Sequence, residues 1–219
     1  MPQSLVLYYS PRACSLACHI ALEESGLPFE AQLVRIRAGE HKAAGYKAVN
    51  AWGKIPALTI DGQLLTEAQA ILTYIAGAAP GRHLLPPDGT LERARAHEWM
   101  NFLSSSVHIA FRPLFRADTL LDDPLLAPRL RAFGLPALRN TLLEVDRRLG
   151  DRQWALGERY SVCDPYLLVF YIWSQREDVV GDMPDLPNYR RVAQAVLARP
   201  ATRRALAREG LDENALRAR

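Results

Sequence analysis

The sequence has little of what would mark a secreted, membrane-spanning or nucleic-acid-binding protein. Cysteine is scarce, three in 219 residues, an odd count without framework spacing; this argues against a disulfide scaffold and for a reducing cytosol. Cys14 and Cys18 stand four residues apart with His19 beside them. That is not the Cys-x-x-Cys of a dithiol oxidoreductase, and it leaves a zinc ion short of a fourth partner, so no metal is expected. Long apolar runs are missing: Tyr166 to Trp173, the longest after the N-terminal one, is far too short to span a bilayer. No basic region precedes the first apolar run, which Pro11 and Arg12 soon break, so no signal peptide is expected and the cytoplasm is the expected location. One-sided charge is absent too. The net charge is +3, and the pairs Arg147-Arg148, Arg190-Arg191 and Arg203-Arg204 have acids nearby, which argues against a nucleic-acid surface. There is no internal repeat and no low-complexity segment.

What is present is a hydrophobic content of 49%, enough for a sizeable core. Leu5 to Tyr9 reads as a buried strand, and Ala13 to Ser25 as a helix ending at Gly26. Phe29 to Ile36 reads as a second strand, followed by a polar helical segment carrying Glu40, His41, Lys42 and Lys47. From Gly53 to Leu72 the chain gives Ile55-Pro56, a short strand from Ala57 to Ile60, an Asp61-Gly62 turn and a strand at Leu64-Leu65. Thr66-Glu67-Ala68 then opens a helix reaching Ala78. The order β-α-β-α-β-β-α is that of an α/β, thioredoxin-like domain with a mixed sheet. Turn residues concentrate between Pro80 and Gly89, and no strand pattern follows. The expected organisation is therefore a first domain at 1–80, a linker at 81–90 and an all-α helical bundle at 91–219. Its helices are expected at Leu91 to Asp118, interrupted by Pro113, and at Leu125 to Leu149, with Pro128 in the first turn and Pro136 a kink. Three more are expected from Cys163 to about Asp178, Tyr189 to Ala198 and Ala201 to Glu209. Ser161-Val162-Cys163-Asp164 has the form of a capping box, with Pro165 inside the first turn.

Pro56 cannot donate to a ladder, so it belongs at the first position of an edge strand. An open backbone edge then lies beside a helix N-terminus, where free N–H groups and the helix dipole favour a carboxylate. An extended peptide with an anionic end fits such a place. The plain alternative is an ordinary hairpin and helix with a trans proline.

Four motifs, in order, resemble those of glutathione S-transferases, and of the bacterial beta class in particular. They are Tyr9-Ser-Pro-Arg-Ala-Cys-Ser15, the Ile55-Pro56 hairpin leading to Glu67, Trp99-Met-Asn-Phe102 running on to His108, and the Ser161-x-x-Asp164 helix start. The resemblance implies an enzyme that binds glutathione as co-substrate, activates it as thiolate and directs it at an apolar electrophile in a detoxification role. It also implies a homodimer, a cis Ile55-Pro56 bond and a second activity, mixed-disulfide reduction through Cys14. By the same resemblance Ile55 pairs its backbone with the cysteinyl part of glutathione like an added strand. Glu67 takes the γ-glutamyl ammonium, and the Glu67 and Ala68 N–H groups take its α-carboxylate. Asn101 and Ser105 reach glutathione, and His108 sits beside the thiol. Asn101, Ser105 and His108 are spaced i, i+4 and i+7, one polar stripe that is otherwise merely solvated.

Cys14 is the group expected beside the thiol, since a helix N-terminus favours thiolate; a small buried hydrophobe is the plain reading. Ser15 and then Ser10 are the alternatives. Cys18, His19 and Tyr9 read as packing. The glycine carboxylate needs a cation from among Arg35, Arg37 and Lys54, with Arg37 and Lys54 favoured. Arg12, Phe111 and Trp173 are expected to line the electrophile pocket, Trp173 equally being core. The chain departs from the family pattern at Ile109 (Lys in relatives), at Ala68 (Ser or Gly) and at Asn50-Ala51-Trp52 (Asn-Pro-x). Ile109 and Ala68 favour the rival reading, a non-catalytic binding or adaptor protein on the same scaffold, whereas Glu67, Pro56 and Cys14 argue against it.

Overall fold

The structure, a computed structural model, describes residues 4–120, 123–176 and 183–212. The first strand, β1 (Leu5–Tyr9), lies inside a four-stranded sheet of order β2-β1-β3-β4. It pairs in parallel with β2 (Glu30–Leu33) and antiparallel with β3 (Ala57–Ile60), which pairs antiparallel with β4 (Gln63–Thr66). The mixed thioredoxin-like sheet is therefore present, with β2 shorter than its sequence run. Asp61 and Gly62 sit at φ 49° and 81°, the two positive values that a tight hairpin with right-handed strands requires.

Helix α1 (Ser15–Ser25) has almost no exposed face: Ser15 to Leu22 are all buried, since the helix lies between the sheet and the second domain. It packs on α3 (Ala68–Ala78), on α8 (Cys163–Ser174) and on α10 (Pro200–Arg208). Arg199 bonds Glu24 with both guanidinium arms, and Arg204 and Arg208 bond Glu23. The short α2 (Ala44–Val49) follows a 3-10 turn at Glu40–Lys42.

The helical C-terminal region begins where Thr90 caps α4 (Leu91–Phe102) by accepting the Arg93 N–H. A single helix to Asp118 broken at Pro113 was expected, and the structure differs. The break is a π-turn at Leu103–Val107, and Pro113 lies within α5 (His108–Phe115). Three consecutive serines explain the shift: Ser104 and Ser105 both donate their hydroxyls to the Asn101 carbonyl and compete with the α-helical ladder. A short α6 (Ala117–Leu120) follows, then the long α7 (Ala127–Leu149), which keeps Pro128 in its first turn and Pro136 inside. Gly134 of α7 faces Pro113, and a Cβ there would lie 2.5 Å from the proline Cβ.

Helix α8 is the buried centre, from Cys163 to Ile172. The Asp164 carboxylate accepts from the Ala155 N–H (2.7 Å), the Ser161 N–H (2.8 Å) and the Ser161 hydroxyl (3.2 Å). This reaching back is the acidic half of the capping box. Asp178, the expected end of this helix, lies outside the described residues. Helix α9 (Pro187–Leu197) is anchored by Asp146 of α7, which accepts the Tyr189 N–H at 2.8 Å and the Asn188 amide at 2.9 Å. Among the described residues no helix is long and apolar enough to cross a membrane.

Candidate active site

The turn from β1 into α1 sets the site. Arg12 takes φ 63°, and Ser15 closes the loop by accepting the Ser10 N–H at 3.1 Å and donating to the Ser10 carbonyl at 3.2 Å. Cys14 is thereby placed at the N-cap of α1, only 6% exposed. Its Sγ lies 3.8 Å from Nδ1 of His108, the first residue of α5. The contact thus joins the thioredoxin-like half to the helical half.

Burial pushes the Cys14 thiol up to about 12, and the Glu67 charge adds to the rise against a backbone hydrogen bond that opposes it. This corrects the expectation that the helix N-terminus favours thiolate here: losing hydration costs the charged form more than the helix end returns. Ser15, fully buried with both hydrogen-bonding roles used at Ser10, is a brace for the loop rather than the group beside a thiol. Ser10 accepts the Ile36 N–H at 3.4 Å.

His108 packs against Trp173 and Phe170, with ring centroids at 5.1 and 5.8 Å. Desolvation lowers its pKa, and the cations of Lys54, Arg112 and Arg116 lower it further. The imidazole is therefore neutral at pH 7. Trp173 also meets Phe115 at 5.3 Å and Phe111 at 5.5 Å, and its indole N–H donates to the Arg12 carbonyl at 2.7 Å. Phe111 is fully buried, which corrects its expected place in the pocket lining: it backs the aromatic wall. Half-buried Phe115 takes the open position instead. The spacing of Phe115, seven residues after His108 on one helix, was the signal that could have found it.

The Ile55–Pro56 bond is cis. Pro56 was expected to begin an edge strand; instead it stands just before β3, an interior strand paired with both β1 and β4, so its missing N–H falls outside the ladder. Gly53, at φ 62°, lets the preceding turn pass His41, whose carbonyl would lie 2.7 Å from a Cβ there. The Tyr46 hydroxyl and Asn50 amide donate to the Lys54 carbonyl at 2.6 and 2.9 Å. Neither residue was expected to support this strand start. Among the described residues no hydrogen bond engages the Ile55 N–H or carbonyl. Glu67 sits at φ 68°, and no side chain caps α3. Among the described residues four non-glycine residues take positive φ, Arg12 and Glu67 being two of them. Buried Ala68 opens α3.

Lys54 is exposed at the cleft, close enough to depress both His108 and His41. Arg35 is paired with Glu40 at 3.0 Å, whereas Arg37 is exposed, and no contact places it at the cleft. Asn101 and Ser105 are exposed, with Ser105 turned back on the Asn101 carbonyl at 2.8 Å. The π-turn adds a residue between them and His108, displacing His108 by about 100° from the α-helical stripe. His19, expected to be packing, is fully buried and also pairs with Glu209 at 3.0 Å.

The family model described as "Glutathione S-transferase, N-terminal domain" matches residues 12–78, which hold Cys14, Pro56 and Glu67. The chain is 37% identical to "Glutathione S-transferase GstA" of Escherichia coli O157:H7, over 94% of this chain and 98% of that one. It belongs to the glutathione S-transferase family. Among solved structures, a family member from Xylella fastidiosa matches with a TM-score of 0.85 at 34% identity, over 95% of this chain and all of that one. A sphingomonad glutathione S-transferase complexed with glutathione matches with a TM-score of 0.81 at 38% identity, over 94% and 100%. Within the family fold, Cys14 of the thioredoxin-like half meets His108 of the helical half, and the Glu67 charge acts on Cys14. Among the described residues no cluster of His, Cys, Asp or Glu could hold a metal ion.

Proposed function

We propose that this cleft binds glutathione beside Cys14 and His108, ionises its thiol and delivers the sulfur to an electrophile at the Trp173–Phe115 wall. The chain is a glutathione transferase by family; the roles of individual residues are the proposal. The observation that carries it is the 3.8 Å approach of Cys14 Sγ and His108 Nδ1, with the unpaired backbone of Ile55 ahead of β3 as the proposed partner for a peptide. The peptide backbone of glutathione pairs with Ile55, with Pro56 holding the turn. The γ-glutamyl ammonium meets the Glu67 carboxylate, and the α-carboxylate meets the uncapped N–H groups at Glu67 and Ala68. Lys54 takes the glycine carboxylate, with Arg37 as a further cation; Asn101 and Ser105 are outer contacts.

A free thiol has a pKa of about 8.5, and each unit of lowering needs about 1.4 kcal/mol of preferential stabilisation of the thiolate. Cys14, itself protonated, donates its S–H to that thiolate, and neutral His108 donates an N–H. Hydrogen bonds to a charged group contribute about 1.5–3 kcal/mol each, the S–H at the low end. Two such donors are enough for a two-unit fall. The cationic field that keeps His108 neutral acts on the glutathione thiol in the same direction. The thiol proton leaves to solvent, and the thiolate attacks the electrophilic carbon. Mixed-disulfide reduction through Cys14 is the subordinate activity, because a thiol held near 12 is a poor nucleophile.

A homodimer is supported by the β4–α3 face, where a hollow of about 540 Å³ is lined by Leu65, Glu67, Ala70 and Tyr74. Three buried free cysteines support a cytoplasmic location.

The test is calorimetric titration with reduced glutathione beside Glu67→Ala, followed by conjugation of 1-chloro-2,4-dinitrobenzene. Binding lost in the variant, with turnover in the wild type, supports the reading. A wild type that does not bind glutathione overturns it in favour of a binding protein on the transferase scaffold.

A further inference from the structure

The aromatic wall of the cleft carries more positive charge than binding one glutathione explains. On α5, Arg112 follows His108 by four residues and Phe115 by seven, placing them within about 40° and 20° of His108 around the helix axis. Trp173 touches both His108 and Phe115, so it spans these two turns from the facing helix. The Arg176 guanidinium lies 4.0 Å over the Phe115 ring and closes one end of the wall. At the other end Arg12, exposed, is pinned through its carbonyl by Trp173. Arg112 and Arg116 are exposed, and neither has an ion-pair partner among the described residues. Asp118, the acid nearest to them in the chain, is taken by Arg131 at 2.7 Å. Many arginines elsewhere on the surface are paired, as Arg95 is with Glu98 and Arg147 with Glu144.

Rings set edge to face, with Phe115 at 62° to Trp173, and bordered by the guanidinium groups of Arg112 and Arg116 suit a planar ligand with an anionic substituent: one ring takes its face, the other meets its edge, and an arginine fork takes a carboxylate through two parallel hydrogen bonds. We propose that the electrophile of this transferase is a planar, conjugated compound bearing a carboxylate, laid against Trp173 with Phe115 meeting its edge and held by Arg112, with Arg116 supplying further positive charge. The inference rests on the transferase reading and names the class of its second substrate. With a chloroarene the glutathione thiolate attacks the carbon bearing chlorine. The new C–S bond uses the sulfur electron pair, chloride leaves with the C–Cl pair, and the carboxylate takes no part in the bond changes.

The experiment compares 4-chloro-3-nitrobenzoate with its methyl ester, which share ring and leaving group and differ in the charge. Each kcat/KM is divided by the rate constant of the uncatalysed reaction with glutathione. The expected result is a normalised preference for the acid that falls about tenfold in Arg112→Gln and narrows as NaCl is raised. An ester used as well as the acid, or a preference unchanged in Arg112→Gln, overturns the proposal while leaving the transferase reading intact. If neither compound is conjugated, conjugation of 1-chloro-2,4-dinitrobenzene decides the transferase reading, and binding decides the anion preference. Quenching of tryptophan fluorescence by unreactive 3-nitrobenzoate is then compared with quenching by methyl 3-nitrobenzoate, with Trp173→Phe identifying the ring involved. Tighter, salt-sensitive binding of the acid that weakens in Arg112→Gln supports the proposal, and equal binding overturns it.

Discussion

Trp173 of α8 donates its indole N–H to the carbonyl of Arg12 at 2.7 Å, so the helical domain holds the loop that presents Cys14. Arg12 is at φ 63°, a conformation costing a non-glycine residue about 1–3 kcal/mol unless its surroundings hold it. Trp173→Phe keeps a ring against His108 and removes the donor. The expected outcome is a stability loss of about 1 kcal/mol in denaturant unfolding, with KM for the electrophile raised several-fold and kcat changed less, measured by steady-state kinetics.

Cys14 should behave as a thiol. With its pKa pushed up to about 12 by burial, alkylation by iodoacetamide at pH 7.5 should be slower than for a free cysteine and should accelerate with pH well beyond 9, followed by mass spectrometry of the peptide containing Cys14. Cys14→Ser keeps a donor at this position and should retain more conjugation than Cys14→Ala, whose kcat/KM should fall by about tenfold, the equivalent of about 1.4 kcal/mol.

The acid limb of the pH profile should report the bound glutathione thiol, and His108 should titrate separately, at lower pH than a free imidazole. Desolvation and the cations of Lys54, Arg112 and Arg116 favour the neutral imidazole, so its protonation should begin only below the ordinary histidine value near 6.5. Removing a cation favours the imidazolium, and Lys54→Gln or Arg112→Gln should therefore raise the pKa. An NMR titration of the His108 ring in wild type and variants checks the sign.

Asp164→Ala should be among the most damaging substitutions outside the cleft. It leaves the Ala155 N–H, the Ser161 N–H and the Ser161 hydroxyl buried without their acceptor. At about 1–3 kcal/mol for each unsatisfied group, a loss of about 3 kcal/mol or more is expected in chemical denaturation. Glutathione affinity of the folded fraction should be kept.

The first domain was legible because its signals are local: Asp61-Gly62 marks a hairpin on its own, and Pro56 can stand only where a strand begins. The second domain was legible as helices but not in their breaks, since Pro113 looked like the interruption while the serine hydroxyls at 104 and 105 created it. Within the site, Cys14 and His108 stand 94 residues apart in sequence and meet at 3.8 Å. No periodicity could show that contact; only the family motifs brought the two residues into one reading. The protonation of Cys14 depends on how much protein covers it, and Ser15 was open as a candidate because its hydrogen bonds to Ser10 depend on the loop's exact path. The charge around His108 was missed for the same reason: Arg112 and Arg116 look like ordinary surface arginines until α5 is seen to face Trp173.

Helix α1 has no side left for solvent, being covered by the sheet and α3 on one hand and by α8 and α10 on the other. In engineering terms the thioredoxin-like half is therefore not a portable module. Cut away from its helical partner, it would present Leu16, Ile20 and their buried neighbours to water and would self-associate. An intact chain should melt in one transition, without a stage at which one half is folded and the other is not. Swapping helical domains between relatives to change substrate choice should succeed only when the α1-facing residues of α8 and α10 travel together with α1 itself.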